Sequence, residues 1–231
     1  MITTVVFDLD DTLYKEIDYC RSGFQAVSSY LCAKPGYPPS ATIFDAIWTQ
    51  FSAGNYGYAF NAALDNLKLP CNQQIINELI EVYRNHKPNL NLPALSRQIL
   101  DNLKPKFNLA LLTDGFLPAQ RLKVEALGIQ SYFGCIIYTE ELGRQFWKPS
   151  PAGFERIVAH FTVDPATCVY IGDNPIKDFI APNQLGFTTI QLTSPDAIHK
   201  LTAPHPSAYP AYTIDSLAQL EYLLDRLNVS A

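Results

Sequence analysis

Three aspartates stand within four positions near the start of the chain, in Val5-Val6-Phe7-Asp8-Leu9-Asp10-Asp11-Thr12. Carboxylates this close repel one another, and burying them unpaired is costly. Polar groups gather again in Thr113-Asp114-Gly115, in Trp147-Lys148-Pro149 and in Gly172-Asp173-Asn174-Pro175-Ile176-Lys177-Asp178. From these four segments come carboxylates, a hydroxyl and a lysine, Lys148. A hard divalent cation resolves the repulsion, because Mg²⁺ prefers oxygen ligands and keeps waters that a substrate phosphate can replace. A lysine and a hydroxyl beside it suit the spread negative charge of a phosphoryl group in transfer. A carboxylate can also attack phosphorus itself, giving an aspartyl-phosphate and dividing the transfer into two easier steps. A second carboxyl two residues on can protonate the leaving alkoxide and later take a proton from water.

Each segment follows a short apolar run that reads as a strand. Thr3–Phe7, Phe107–Leu112, Cys135–Tyr138, Thr167–Ile171 and Thr188–Leu192 are continuous apolar or β-branched stretches, as in strands covered on both faces. Between the later ones lie helical patterns at Ala119–Leu127, Pro151–Phe161 and Ile176–Leu185, closed by Gly128 and Gly186 where the first and last end. Strand and helix in alternation imply βαβ units. The expected fold is thus an α/β, Rossmann-like three-layer core with a mainly parallel sheet, whose ligands bind outside the carboxyl ends of the strands. Residues 15–89 break the pattern. Ser22–Leu31, Ala41–Phe51, Tyr58–Leu67 and Gln73–Tyr83 read as amphipathic helices, separated by breaks at Lys34–Pro39 and Leu69-Pro70. An inserted α-helical domain over residues 15–89, within a core of residues 1–14 and 90–231, is the domain organisation expected. Pro195 to Tyr212 reads as a surface loop, and Ser216 to Leu227 as a closing helix.

Composition narrows the function classes. The chain has 231 residues, 48% of them hydrophobic and 17% charged, with a net charge of −5. Without a basic run, neither a nucleic acid polymer nor an anionic membrane is an expected partner. No stretch of about 18 apolar residues occurs, and the opening apolar run is cut short by Asp8, against a membrane span or a signal peptide. Five widely spaced cysteines with no C-x-x-C pair read as reduced, mostly buried thiols of a cytoplasmic protein. The oligomeric state is not legible, so monomer and homodimer both stay open.

In order and at strand ends, these motifs resemble those of the haloacid dehalogenase-like hydrolase superfamily. Asp8-Leu9-Asp10-Asp11-Thr12 is similar to its D-x-D-x-T signature, Thr113 to its second motif, Lys148 to its third, and Gly172-Asp173 through Asp178 to its G-D-x-x-x-x-D fourth. The insertion matches its helical C1 cap, so the resemblance covers the whole chain. It implies Asp8 as nucleophile and Asp10 as general acid and base. Thr113, Lys148 and the backbone N–H groups at Asp114 and Gly115 would hold the phosphoryl oxygens. Mg²⁺ would be bound by Asp8, Asp10 through its backbone carbonyl, and Asp173, with Asp178 in or beside the metal shell. Thr12 would support the loop. Asp114 stands where asparagine or serine is frequent, and its side chain is expected to point away or to bind backbone.

The activity so implied is a Mg²⁺-dependent phosphatase acting on a small phosphorylated metabolite. A phosphomutase or a non-catalytic binding module on the same fold is the alternative. Dehalogenation fits poorly, since dehalogenases of the superfamily lack an acid at the position of Asp10. Asp11 is expected to be a turn residue, and Lys123, a rival for the lysine role, lies in mid-helix. The histidines have no ligand spacing. Tyr14, Arg21 and the loop of residues 52–57 are candidates to reach the substrate.

Overall fold

The computed structural model describes residues 1–193 and 202–229. Its sheet has six strands, β1 (Thr4–Phe7), β2 (Asn108–Thr113), β3 (Cys135–Tyr138), β4 (Cys168–Gly172), β5 (Thr188–Leu192) and β6 (Tyr212–Ile214), all parallel, in the order β3-β2-β1-β4-β5-β6. The first strand is wholly buried and lies at the centre. Its register pairs Phe7 with Leu111 on one side and Ile171 on the other, so β1, β2 and β4 present their carboxyl ends at one edge. The order reverses beside β1, and this is where such sheets leave a crevice at their carboxyl edge.

Two compact units make up the chain. The α/β unit comprises residues 1–16, 91–116 and 127–231. One of its core clusters gathers Val6, Ala110, Leu112, Cys135, Phe154, Ile157, Cys168, Tyr170 and Phe179. The helical unit comprises residues 17–90 and also 117–126. It contains nearly all of α1 (Glu16–Cys32), then α2 (Ser40–Ser52), α3 (Ala59–Asn66) and α4 (Gln73–Asn85). Helix α6 (Ala119–Leu127), which the alternating pattern counts with the core, groups with it over all but its last residue. Phe24 is its aromatic hub, with the rings of Trp48, Phe51, Phe60 and Tyr83 around it at 5.2–6.4 Å. Gly23 allows α1 to approach closely, because a Cβ there would lie 2.4 Å from the Tyr83 ring.

Two elements fall outside the sequence expectation. Helix α5 (Ala94–Leu103) buries only Ser96, Ile99, Leu100 and Leu103, and a buried serine interrupts its apolar stripe. That serine is satisfied by the Leu13 carbonyl at 2.6 Å. The edge strand β6 is three residues long, too short for a period to register, and begins at the last residue of the expected loop. Of that loop, residues 195–201 lie outside the described residues. Helix α7 (Ala152–Phe161) matches its pattern, whereas α8 (Ile180–Leu185) starts four residues later than its pattern suggests. The closing helix α9 (Leu220–Val229) follows a 3₁₀ turn at Leu217–Gln219. All five cysteines are free, three of them buried. No described helix is long and apolar enough to cross a membrane.

His86 ties the end of α4 to α1. Its Nδ1–H donates to the Tyr83 carbonyl at 2.6 Å, leaving Nε2 to accept from the Ser22 hydroxyl at 3.1 Å. Ser22 Oγ in turn accepts from the Asn89 N–H at 2.9 Å. Burial holds the imidazole below its ordinary value of 6.5, so the unfolded chain takes up this proton first as pH falls. The contribution of His86 to stability is therefore full above about 6.5 and lost as pH drops through the lower folded value. Urea unfolding between pH 7.5 and 5 is expected to show a midpoint that falls with acidification. In His86→Gln that fall should be smaller.

Candidate active site

Asp8 directly follows β1, and its N–H donates to the Ile171 carbonyl at 2.8 Å, which extends the sheet ladder by one residue. The residue two further on reaches the same edge. Past β4, Gly172 gives way to Asp173 and to a turn in which the Lys177 and Asp178 N–H groups donate to the Asn174 carbonyl at 3.2 and 2.9 Å. This turn occupies the residues that the pattern assigns to the start of α8. Glycine is required at 172, since a Cβ there would meet Asp178 Oδ2 at 2.5 Å. Lys148 arrives from the segment after β3, where 3₁₀ turns at Thr139–Glu141 and Arg144–Phe146 take up the long spacing before it. Trp147 anchors that segment, donating from Nε1 to Glu140 Oε2 at 3.0 Å and packing edge-on against Phe116.

These segments converge on a buried ammonium. Lys148 Nζ lies 2.7 Å from Asp8 Oδ1, 2.8 Å from Asp178 Oδ1 and 2.9 Å from the Tyr170 hydroxyl. The lysine side chain is 1% exposed and those of Asp8 and Asp178 are 4% and 0% exposed. Tyr170 relays the arrangement by donating to Asp178 Oδ1 at 3.2 Å, and the other Asp178 oxygen accepts from the Asn174 N–H at 2.8 Å. Burial acts to raise the Asp178 carboxyl, but Lys148 and Lys177 together with these hydrogen bonds hold it below the usual range. Burial would lower Lys148, yet Asp178 and Asp8 keep it well above the ordinary lysine value.

Asp8 and Asp173 are not so well compensated. Desolvation pushes Asp8 up to about 6 against the pull of Lys148. Asp173 is pushed to about 9, by burial first and then by the charges of Asp8 and Asp178. Carboxylate oxygens of Asp8, Asp173 and Asp178 lie within 4.8 Å of one another. A hard cation among them would remove the repulsion, so the donor set fits one.

A cavity of about 320 Å³ opens on this cluster, lined by Asp8, Asp10, Asp11, Glu16, Asp114, Trp147, Lys148, Asp173, Asn174 and Lys177. Asp10 faces it and accepts from the Tyr14 hydroxyl at 2.5 Å. Thr113 is buried at the end of β2 and is not in the lining, though the next residue is. Asp114 binds backbone: its Oδ1 accepts from the Lys148 N–H at 3.2 Å and from the Thr139 hydroxyl at 2.7 Å. Gly115 has a φ of 140°, a region that glycine tolerates without strain. Asp11 makes a turn, with φ 54° and its Oδ1 accepting from the Glu16 N–H at 2.8 Å. Thr12 closes the turn through its N–H to the Leu9 carbonyl, while its buried hydroxyl has no hydrogen-bond partner among the described residues.

Other candidates lie in the helical unit. Arg21 stacks its guanidinium 4.7 Å from the centre of the Trp48 ring, and Lys123 sits 4.3 Å over Tyr19. In the loop of residues 52–57, Tyr56 packs on Phe51. Two site residues escape a sequence reading. Tyr170 lies inside an apolar strand and gives no signal that its hydroxyl will bridge a lysine and a carboxylate. Lys177 is visible within the fourth motif, as one of its unspecified positions.

A parallel sheet with buried acids and an ammonium at its carboxyl edge is the arrangement that the four motifs imply. The chain belongs to the haloacid dehalogenase-like hydrolases, whose family model matches residues 2–186. It is 27% identical to the glyceraldehyde 3-phosphate phosphatase of Methanocaldococcus jannaschii, over 99% of both chains. With the human N-acylneuraminate-9-phosphatase it shares 25% identity, over 98% of this chain and 95% of the relative. Among solved structures, a 2-haloacid dehalogenase from Pseudomonas syringae pv. Tomato DC3000 is similar at a TM-score of 0.66 and 25% identity, covering 98% of this chain and all of the other.

Removing the central ammonium while leaving its partners buried is expected to be severe. Lys148→Met should cost about 3–5 kcal/mol of unfolding free energy at pH 7. Urea titration of the metal-free protein measures it, and the same substitution combined with Asp8→Asn and Asp178→Asn should recover part of the loss.

Proposed function

We propose that this protein is a Mg²⁺-dependent phosphatase that hydrolyses a small phosphorylated metabolite through an aspartyl-phosphate on Asp8. The observation that carries this reading is the Asp8 carboxylate, fixed by Lys148 at 2.7 Å, in a cavity that it shares with Asp10 two residues on. Both relatives named above are phosphatases of small phosphorylated metabolites, which supports the same class here.

In the first step an Asp8 oxygen attacks phosphorus. The bond from phosphorus to the leaving oxygen breaks, and Asp10 gives that oxygen its proton. In the second step Asp10 takes a proton from water as the water attacks the acyl phosphate, which releases inorganic phosphate and restores Asp8. Tyr14, hydrogen-bonded to Asp10, orients this acid. Thr113, Lys148 and the amides at Asp114 and Gly115 steady the phosphoryl oxygens, and Asp114 holds the Lys148 backbone in place for that task. Asp8, the backbone carbonyl of Asp10 and Asp173 would hold Mg²⁺, with Asp178 beside them. When bound, the cation neutralises charge on the phosphoryl group and between the acids.

The assignment of residues 1–14 and 90–231 to a catalytic core and of residues 15–89 to a cap follows from the same reading. Free cysteines support a cytoplasmic setting. Asp10 also separates this reading from carbon–halogen cleavage, the reaction for which the Pseudomonas syringae structural neighbour is named. No leaving alkoxide forms in that reaction, so an acid at this position would have no proton to deliver.

Asp8→Asn should lower phosphate release from aryl or sugar monophosphates by about a thousandfold or more, with the unfolding midpoint preserved. Turnover close to that of the unaltered protein would sink the nucleophile assignment, and release of halide from a 2-haloacid would favour the dehalogenase. Asp173→Asn removes the most strongly raised carboxyl, so the metal-free variant should be more stable than the unaltered protein at pH 7. Conversely, Mg²⁺ should raise the melting midpoint of the unaltered protein and barely move that of Asp173→Asn. Calorimetry with and without the ion checks both.

A further inference from the structure

A lysine ammonium carries three N–H donors. In Lys148 all three have acceptors already: Asp8, Asp178 and the Tyr170 hydroxyl, each within 2.9 Å. Lys148 therefore orders the carboxylates, and any contact it makes with an incoming anion is shared with them.

The cavity has a second ammonium. Lys177 lines the same wall as Asp8 and Asp173, and its side chain is 31% exposed. Its Nζ makes no hydrogen bond to any described residue. The ion-pair partner nearest to it is Asp114 Oδ2 at 3.9 Å, beyond hydrogen-bond reach. Asp114 is itself committed through its other oxygen to Thr139 and to the Lys148 backbone. The base of Lys177 is fixed all the same, because its N–H and that of Asp178 close the turn on the Asn174 carbonyl. Burial and the charge of Lys148 act against its own charge, but Asp8, Asp178 and Asp114 hold it above the ordinary lysine value. A phosphate dianion entering here meets Asp8, Asp10, Asp11, Glu16, Asp114 and Asp173. Against that field an ammonium with uncommitted donors, pinned at its backbone and open to the cavity, is placed to receive an anion.

We propose that Lys177 is a second substrate-binding cation of this site, hydrogen-bonding non-bridging phosphoryl oxygens beside Lys148, which also keeps Asp8 aligned. This rests on the phosphatase reading only in taking a phosphoryl group as the anion. The bland alternative is that Lys177 merely offsets the charge of Asp114 and its neighbours.

Inorganic phosphate is the probe, titrated calorimetrically into the Mg²⁺-loaded protein. Lys177→Met should bind it about tenfold to a hundredfold more weakly than the unaltered protein, as expected for loss of a charged hydrogen bond. Lys177→Arg should recover most of the affinity, and both variants should keep the unfolding midpoint. Affinity within twofold of the unaltered protein in Lys177→Met overturns the assignment. So does a loss matched by a lowered midpoint and not recovered by arginine, which is the mark of the charge-offset role. Absence of phosphate binding by the unaltered protein overturns it as well. If phosphate binds as expected but no monoester in a metabolite panel is hydrolysed, the phosphatase reading fails while the role of Lys177 as an anion site stands.

Discussion

The shared ammonium of Lys148 is the interaction on which the α/β unit's functional edge depends. Asp8 ends the central strand and Asp178 closes the turn after its neighbour, and both would be uncompensated buried charges without it. One lysine, more than a hundred residues from the first and thirty from the second in sequence, satisfies both at under 3 Å. A buried ion pair of this kind does not by itself make a protein more stable than a well-packed apolar replacement would. What it does provide is a preference for arrangements that keep both carboxylates on the one ammonium, because separating either leaves a buried charge unpaired. The Tyr170 hydroxyl tightens that choice by joining the lysine to Asp178 from within the core.

Around this knot the backbone is shaped to fit. Gly172 leaves room for the Asp178 carboxylate where a Cβ would collide with it. The turn from Asn174 to Asp178 stands where the pattern expects the first part of a helix, and it holds Asp178 against Lys148. On the opposite side, the 3₁₀ turns before Trp147 absorb residues so that the lysine is delivered at depth. Asp114 then clamps the Lys148 backbone, which gives a structural task to an acid that otherwise looks misplaced beside a phosphate site.

Charge in the edge is nonetheless left unbalanced. Asp178 is held ionised, whereas Asp8 and Asp173 are both pushed upward, Asp173 to about 9. Residues that fold well together do not usually keep such a carboxyl, and perturbed groups of this kind gather at functional sites. The stability given up at Asp173 is consistent with a position kept for what it binds, and the uncommitted ammonium of Lys177 belongs to the same balance of charge. Both features point outward to a ligand pair of opposite sign, a cation and an anion.

Much of this was legible in the amino-acid order. Continuous apolar runs spaced by helical patterns specify a covered parallel sheet, because a strand buried on both faces has no use for alternation, and the acids at their ends mark the edge where chemistry gathers. The insertion of helices after Asp8 is equally plain from its periodicity. Short or mixed elements were not: β6 has three residues, and α5 hides a satisfied serine in its apolar stripe. Tertiary structure alone decided which donors are committed and which are free. Tyr170 reads as core until its hydroxyl is seen between Lys148 and Asp178, and the two lysines are indistinguishable until their neighbours are known. The reason is physical. A residue's type and spacing determine what bonds it can make, but whether those bonds are already made depends on partners that only folding brings within 3 Å.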